Sequence, residues 1–571
     1  MSFFDDASLA FLPSGAAGKD GKAYSIKPTD GTGDFTFSRG SNLAATRVGA
    51  DGLIEKGREN LLTQSNNFSA TPWASSGTTE TSGQSGYDGS SDAWLLSAAN
   101  AGDFIYRNDI TSFSGLTTIS VYAKKGTADG IRLRFNQTTD VNLYINLAAG
   151  AIIGAFAPGI AYAIEDALNG WYRIQMSFIA SGTQDFRIYP TNATGTSIAG
   201  TIYIQDAQAE IGLAATDYIE SGATTGKAGL LEDEPRLDYS GGATCPSLLL
   251  EPQRSNLWAH SEYFNAWSKQ SVTIDTNVIL SPEGLTNASK LTPTATNAFH
   301  AMYYATTTLT SYVVSVYAKA AGYNYLRMYD QFASGMTAAS FDLINGTSVG
   351  GDIEAMGNGW YRCTAYGSNP SAGTNIPTIG ASPDGTQVVF TGDGISGIYI
   401  YGAQFESASY PTSYIPTYGS SVTRSLEFAD GVTIDTTANH TMLYDFDGTT
   451  GRETSSALFN IGYDSSNTYF IKGSSSSGVE FQVAGNGLFS GLVYLTNEVS
   501  GRNKIAVQWI DGTGYVYSNG VKQSGTLSNS SSANNINYYK AEGRGYSHEL
   551  NQFLIFNTAL TDSECIKLTT L

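Results

Sequence analysis

The feature that most constrains the fold of this chain is an internal repeat. Asn60 and Asn256 begin similar strings 196 residues apart, and Phe68 and Phe264 are separated by the same distance. Further blocks recur in the same order, and one module is therefore written twice in tandem. The matched blocks are SVYAK at 120–124 and 315–319, NGWYR at 169–173 and 358–362, and IYIQDAQAE at 202–210 against IYIYGAQFE at 398–406.

Each repeated block predicts a β-strand. Small, β-branched and aromatic residues alternate between clusters of Gly, Asn, Ser and Thr. In the block that starts at Ile202 the isoleucines share one face, which indicates a core on that side. Because almost no helical pattern is available to cover such a sheet, a second sheet must do so. We expect an all-β protein with tandem β-sandwich or jelly-roll modules.

The remaining chain divides around this repeat. We expect residues 1–58 to form an N-terminal segment, 59–222 the first module, 223–253 a linker and 254–428 the second module. Beyond that point the repeat stops, and the Asn-Gly pair at 519–520 is typical of a tight turn between two strands. Residues 429–571 are therefore predicted to form a third, different sandwich.

Composition argues against several classes of partner. The chain has 571 residues, a formal net charge of −20 and a pI near 4.6, which disfavours binding to nucleic acid. Three distant cysteines, Cys245, Cys363 and Cys565, indicate no disulfide framework. The first residues are acidic rather than basic and no apolar run of about 18 residues occurs, so we expect neither a signal peptide nor membrane insertion.

The order of the blocks resembles known modules. An Asn-Leu start, an SVYAK strand, a Gly-Trp strand and a closing strand with AQ-x-E are similar to the jelly-roll carbohydrate-binding modules attached to xylanases and endoglucanases. They resemble more closely the modules of bacteriophage tail-fibre and head-fibre proteins, as do YSIKPTDG at 24–31 and SLLLEPQR at 247–254. The last part of the chain, with ALTDSE at 559–564, resembles concanavalin-like and laminin-G-like sandwiches.

The resemblance implies a structural fibre protein of a tailed phage, on the tail or the head of the virion. Such a protein attaches to a host-surface glycan or another receptor and is not an enzyme. The resemblance also implies a homotrimer that is assembled in the host cytoplasm and lies on the virion surface, with the N-terminal segment contacting other virion proteins. No cofactor is expected.

The alternative function is a tailspike-like polysaccharide depolymerase, either a glycoside hydrolase or a lyase. Acidic pairs such as Asp445 with Asp447 could serve as acid and base if their separation in space is suitable. No histidine metal motif, nucleophile elbow or P-loop indicates another enzyme chemistry.

Side chains that differ between the copies are the better candidates for ligand binding. In the second copy tyrosines and an arginine alternate, whereas the comparable stretch of the first copy is apolar, with Ile131, Leu133 and Phe135. Tyr and Arg combine flat surfaces with polar tips, as a sugar platform requires. The predicted glycan contacts are Tyr323, Tyr325, Arg327, Tyr329 and, in the third sandwich, Trp509.

One metal site is considered. Jelly-roll sugar-binding modules often hold a structural calcium near an acidic residue of the closing strand, and Asp206 occupies that kind of position in the first copy. The second copy has Gly402 there, so a site shared by both copies is not expected. Tryptophans present in both copies, Trp73 with Trp267 and Trp171 with Trp360, are interpreted as scaffold.

Overall fold

The computed structural model describes most of the chain, and its helices are short. Within the described residues no helix has the length and apolar character needed to cross a bilayer. The α-helices of the described residues are α1 (Phe3–Asp6) and α2 (Asp562–Thr569), the latter started by a capping box between Thr561 and Glu564, and Ser240–Gly242 and Phe264–Ala266 form short 3-10 helices. The described residues are 3–13, 18–19, 21–40, 44–107, 113, 115–156, 159–181, 185–305, 309–330, 336, 338–368, 375–432, 434–435, 439–448, 457–474, 480–498, 501–530, 535–536, 538–542 and 548–571.

Short strands make up the beginning of the chain. They alternate buried and exposed side chains where one face meets a core, as in Phe35–Ser38. The strands are β1 (Leu9–Phe11), β2 (Gly18–Lys19), β3 (Lys22–Ala23), β4 (Phe35–Ser38), β5 (Thr46–Val48), β6 (Ile54–Lys56) and β7 (Arg58–Asn60).

Module 1 is a sandwich of two antiparallel sheets. Its strands are β8 (Trp73–Ser76), β9 (Thr78–Gln84), β10 (Ala93–Ala98), β11 (Phe104–Arg107), β12 (Gly115–Lys125), β13 (Gly130–Asn136), β14 (Val141–Asn146), β15 (Ala151–Phe156), β16 (Ala161–Asp166), β17 (Trp171–Ala180), β18 (Asp185–Thr191) and β19 (Gly200–Ile211). One sheet has the order β16-β17-β12-β19-β10-β9 and the other β15-β14-β13-β18-β11-β8. Apolar side chains from both sheets, including Val121, Leu133 and Ile204, form the core between them.

Module 2 repeats this arrangement after the short strands β20 (Gly226–Ala228), β21 (Arg236–Asp238) and β22 (Ser247–Leu250). Its strands are β23 (Arg254–Asn256), β24 (Ser268–Gln270), β25 (Val272–Leu280), β26 (Thr286–Pro293), β27 (Asn297–Phe299), β28 (Ala301–Tyr303), β29 (Ser311–Ala321), β30 (Tyr325–Asp330), β31 (Ala339–Asp342), β32 (Thr347–Val349), β33 (Gly351–Ala355), β34 (Tyr361–Ser368), β35 (Pro377–Ser382), β36 (Val389–Thr391), β37 (Gly397–Glu406) and β38 (Val422–Arg424). Its two sheets have the orders β24-β28-β35-β30-β31-β32 and β25-β26-β37-β29-β34-β33.

The third sandwich takes most of its strands from the rest of the chain. They are β39 (Phe428–Asp430), β40 (Ile434–Asp435), β41 (His440–Gly448), β42 (Ala457–Asp464), β43 (Asn467–Ser474), β44 (Glu480–Gly485), β45 (Phe489–Ser490), β46 (Leu492–Glu498), β47 (Gly501–Ile510), β48 (Thr513–Ser518), β49 (Val521–Lys522), β50 (Leu527–Asn529), β51 (Asn535–Ile536), β52 (Tyr538–Glu542) and β53 (His548–Phe556). The all-β sandwich architecture predicted from the sequence is thus confirmed.

Strands from the beginning and the middle of the chain complete the third sandwich. One sheet has the order β21-β22-β53-β41-β47-β48-β50-β45, with β1 also paired to β53, and the other has β2-β3-β4-β39-β52-β42-β43-β44-β46. Leu9, Phe35 and Leu248 are buried in its core. The predicted division is therefore corrected for 1–58 and 223–253, because these short apolar strands gain stability only by pairing with an existing sheet.

Both modules are consequently insertions into the third sandwich. Module 1 begins at β7 and ends at β20, which pair antiparallel, and module 2 begins at β23 and ends at β38, which also pair. We call each of these two-stranded ladders a stem. A stem brings the two ends of a module together, which is the geometry that allows one domain to be inserted into another.

A buried ion cluster holds the segments together where the insertions meet. Arg236 lies between Glu251 and Glu427, with its Nη2 2.8 Å from Glu251 Oε2 and its Nε donating to Glu427 Oε1 at 2.8 Å. Arg424 Nη1 is 2.6 Å from Glu251 Oε2, and Arg39 Nη1 is 3.2 Å from Glu427 Oε1. Because each of these side chains is at most 3% exposed, removing one partner would leave a buried charge uncompensated.

The hairpin β5-β6 docks on module 2 before the chain enters module 1. The ammonium of Lys56 at the end of the hairpin lies between Glu262 and Glu283 of module 2, at 2.9 and 2.7 Å. Module 1 also contacts module 2 directly, since the backbone N–H of Leu116 donates to the carbonyl of Tyr418. The inserted modules are therefore braced against each other.

Candidate functional site

The candidate site lies on the outward face of a sheet in module 1. Strand β13 places Ile131, Leu133 and Phe135 in the core and turns Arg132 and Arg134 outward. Neighbouring strands add aromatic rings on the same side. We call this surface the Arg–Tyr face, and it consists of Phe104, Tyr106, Arg132, Arg134, Tyr144, Arg187 and Tyr189.

Strand register brings these side chains into two neighbouring rows, and the first of them is centred on Arg132. Arg132 lies opposite Tyr144 on β14 and opposite Tyr189 on β18. Its guanidinium carbon is 5.3 Å from the Tyr144 ring centre and 5.0 Å from the Tyr189 ring centre. The Tyr189 ring in turn lies 4.8 Å from Phe104, which is 5.5 Å from Tyr106. The row thus crosses four strands, about 14 Å at the usual strand spacing.

Hydrogen bonds fix the arginines of the face. Arg132 donates from Nε and Nη2 to Asn142 Oδ1 at 3.0 and 2.7 Å. Arg187 is paired with Asp185 through two contacts of 2.5 and 2.7 Å, which raise the pKa of the guanidinium further. Arg134 Nη2 lies 2.6 Å from Asp140. The donors are therefore held in place before any ligand arrives.

The predicted platform of module 2 is only partly assembled. Tyr325, Arg327 and Tyr329 point outward from β30, whereas Leu326 and Met328 between them are buried in the core. Tyr323 precedes the strand, and it packs against the core and against Phe390 with ring centres 5.3 Å apart. The predicted row of four on one face is corrected to three.

The sequence alignment of the two copies in this stretch was also out of register by one residue. Leu133 pairs with Ile188 in module 1, and its structural equivalent Met328 pairs with Ile379 in module 2. Arg327 therefore corresponds to Arg132, and the apolar residues of the first copy correspond to Leu326 and Met328. A shift of one position moves every side chain to the other face of a strand, which explains the error.

Trp509 does not lie on a surface. Its ring is 2% exposed and packs in the core of the third sandwich against Tyr469 and Phe489, each 5.5 Å away between ring centres. The prediction that Trp509 contacts a ligand is corrected, because the strand that carries it faces its indole ring toward the opposite sheet.

The carboxyl group of Asp206, the candidate calcium ligand, is buried and hydrogen-bonded. Its carboxylate is 5% exposed and accepts a hydrogen bond from Tyr87 at 3.0 Å. Burial, and then the charges of Asp92 and Asp88, raise the pKa of Asp206 to about 7. Across the described parts of the chain no group of three or more His, Cys, Asp or Glu side chains is arranged to hold a metal ion, whereas calcium takes six to eight oxygens.

The acidic pair considered for hydrolysis is engaged in structural contacts. Asp445 accepts two hydrogen bonds of 2.8 Å from Arg502, and Asp447 accepts one of 2.6 Å from Asn551. These contacts compete with the proton transfers that an acid and base pair must perform.

The Arg–Tyr face of module 1 was missed by the sequence prediction. A signal for it exists in β13, where Arg132 and Arg134 interrupt three apolar residues with a period of two. The other members come from strands distant in sequence, so only the strand register shows that they meet.

Comparisons with known proteins give little further guidance. No family model matches the chain, and no curated protein matches it. The solved structures that it resembles include the N-terminal CBM22-1–CBM22-2 tandem domain of Xyn10C from Paenibacillus barcinonensis, at 13% identity and a TM-score of 0.21, over 61% of this chain and 96% of that one. They also include the LG1–3 region of the laminin α2 chain, at 10% identity and a TM-score of 0.18, over 82% and 98%. Both similarities are too low to support a statement about ligands.

Proposed function

We propose that this chain is a non-enzymatic attachment protein of a tailed-phage virion, and that it binds host-surface glycan through the Arg–Tyr face of module 1. The observation that carries the glycan part is the row from Tyr144 to Phe104, with Tyr106 beside its end. Aromatic rings offer apolar faces to sugar rings, while tyrosine hydroxyls and arginine N–H groups hydrogen-bond to sugar hydroxyls.

The arrangement suits an extended ligand. The side chains stand on four adjacent strands of a rigid sheet, and two of the arginines are fixed by carboxylates. Little side-chain freedom has to be lost when a polymer lies across the strands, which favours binding. Module 2 offers the smaller set Tyr325, Arg327 and Tyr329 as a second contact.

The virion part of the proposal rests on the resemblance of roughly the first 430 residues to tail-fibre and head-fibre proteins. On this proposal the protein is a homotrimer, is assembled in the host cytoplasm and lies on the virion surface. Because Leu9–Phe11 and Phe35–Ser38 are used inside the third sandwich, the contact of the N-terminal segment with other virion proteins would involve its exposed residues, such as Asp5 and Asp30.

The glycan part is tested by Tyr106→Ala in the full chain. The variant is expected to bind host-surface polysaccharide about tenfold more weakly, as measured by surface plasmon resonance, because it loses one stacking ring. Tyr494→Ala is the matched control, since Tyr494 is an exposed tyrosine of the third sandwich, far along the chain from the face. Unchanged binding by Tyr106→Ala would remove the Arg–Tyr face from consideration.

Two further measurements address the rest of the proposal. Sedimentation equilibrium should give a mass near three times the chain mass of 60.6 kDa, and a monomer would contradict the trimer. Incubation with host polysaccharide should leave its length distribution unchanged. Shortened chains would instead establish the depolymerase alternative.

A further inference from the structure

The charge balance of the Arg–Tyr face differs from that of the whole protein. The face carries three guanidinium groups, of which Arg134 and Arg187 are each paired with a carboxylate. Arg132 is held by the neutral amide of Asn142. The face therefore keeps one uncompensated positive charge in a chain whose formal net charge is −20.

The guanidinium of Arg132 is also oriented. Tyr144 and Tyr189 flank it, and Nε and Nη2 share the oxygen of Asn142. Nη1 has no partner among the residues that the structure describes, and Nη2 keeps a second N–H. These two groups lie on one edge of the guanidinium, and this edge matches the two oxygens of a carboxylate.

The equivalent position in module 2 lacks these features. Arg327 lies opposite Ser340 and Gly380, so no tyrosines flank it from the neighbouring strands. Its Nη1 already donates to the carbonyl of Gly385 at 2.6 Å. The negative charges of Asp342 and Asp384 raise the pKa of the neighbouring Tyr325, so both carboxylates lie near this face. The face of module 2 therefore has two carboxylates for its one arginine.

We infer that module 1 selects glycans that carry carboxylate groups, with Arg132 as the residue that receives the carboxylate. This inference rests on the proposed glycan binding and adds the class of sugar to it. A uronic acid unit would place its carboxylate on the Nη1–Nη2 edge of Arg132, while adjoining sugar rings stack on the half-buried rings of Phe104 and Tyr106. Module 2 would not share this selectivity, because its face has a surplus of negative charge.

The test uses the full-length protein and an array of acidic bacterial polysaccharides, each printed in its native form and after chemical reduction of its carboxyl groups. The native protein is expected to bind the acidic member of a pair about tenfold more tightly than the reduced member, and less so as salt increases. Arg132→Gln should bring the two members to within about twofold of each other.

Two variants make the result specific. Lys125→Gln removes one positive charge from an exposed position of the same module, where Lys125 pairs with Asp129, and it should keep the preference. Arg132→Lys keeps the charge but loses the two-pronged edge, and it should keep only part of the preference.

The outcomes separate the two proposals. Equal binding of both members by the native protein, or an unchanged preference in Arg132→Gln, would overturn the carboxylate selectivity while leaving glycan binding intact. Absence of binding to every polysaccharide on the array would overturn glycan binding as well.

Discussion

At the scale of the residue, Asp206 shows how one substitution separates the two copies. Asp206 and its counterpart Gly402 both adopt a left-handed backbone conformation, with φ of 53° and 58°. Glycine adopts this conformation without strain, and Asp is among the few other residues that tolerate it. Module 1 therefore carries a buried carboxyl group at a position where module 2 carries none.

The raised pKa of Asp206 has a calculable effect on stability. The unfolded carboxyl titrates near 3.8 and the folded one near 7, so the folded state binds the proton more strongly. The contribution of this group to stability is complete below about pH 4, falls as the pH rises to about 7, and stays lost above that.

Asp206→Asn should therefore stabilise module 1 at pH 8 by up to about 4 kcal/mol, because the amide cannot ionise. Near pH 4 the variant and the native protein should unfold with similar free energies. Urea unfolding at both pH values measures this. A native protein that gains stability from added calcium, with a variant that does not, would contradict the raised pKa as the cause and would show a metal site at Asp206.

The limits of sequence prediction at this scale come from register. The sequence shows that residues 323–329 of module 2 differ from the comparable stretch of module 1. The alignment of the two stretches was out of register by one position, so residues that point outward in module 2 were compared with core residues of module 1. The nearest repeated motif, SVYAK at 120–124 and 315–319, has an offset of 195, and this offset aligns Arg132 with Arg327. Offsets of other blocks differ by one or more residues, because bulges and loops change the spacing between blocks.

At the scale of the element, two asparagines explain why the repeat begins with Asn-Leu. Asn60 donates to the carbonyls of Ala207 and Ile219 and accepts from the N–H groups of Leu62 and Ala209. Asn256 makes the same set of four bonds in module 2, at distances of 2.9 to 3.2 Å. Each asparagine thus fastens a stem to the last strand of its module.

Asn60→Ala is expected to destabilise module 1 by about 3 kcal/mol, because it leaves buried backbone groups without partners. Asn256→Ala should have the same effect on module 2. Hydrogen exchange followed by mass spectrometry locates each effect, since only peptides of the altered module should exchange faster. Equal acceleration in both modules for either variant would show that the stems do not act independently.

Much of this element-scale structure was predictable. The closing motif AQ-x-E occurs in both copies, and Gln208 accepts a 2.6 Å hydrogen bond from the N–H of Ile219, as Gln404 does from Ile415. A motif that occurs in both copies is expected to have a structural role, because both copies must adopt the same fold. The Arg–Tyr face occurs once, so repetition carried no information about it.

At the scale of the whole molecule, three segments that are distant in sequence build one sandwich. Pairing between β1 and β53 joins residues more than 500 positions apart. Local sequence patterns identify such strands but do not specify their partners, which is why residues 1–58 and 223–253 were placed outside the sandwich.

This architecture predicts unequal effects of two deletions. A chain that ends at Arg424 should aggregate on expression, because Leu9, Phe11 and Leu250 lose the core that buries them. A chain in which residues 61–225 are replaced by a short Gly-Ser connection should stay soluble, because the stem ends are adjacent. Size-exclusion chromatography of both proteins measures the difference, and a soluble monodisperse chain ending at Arg424 would contradict the insertion arrangement.

The pairing of β1 with β53 also determines how the molecule carries mechanical load. The Phe3 ring lies 6.4 Å from Phe556, and the Lys567 ammonium lies 5.7 Å from the Phe3 ring, so both ends of the described chain meet in the third sandwich. Tension applied between these ends would load the antiparallel ladder of β1 and β53 before it reaches either module. The two ends of each module are paired with each other in a stem, and we therefore expect tension between the chain ends to leave the Arg–Tyr face unchanged.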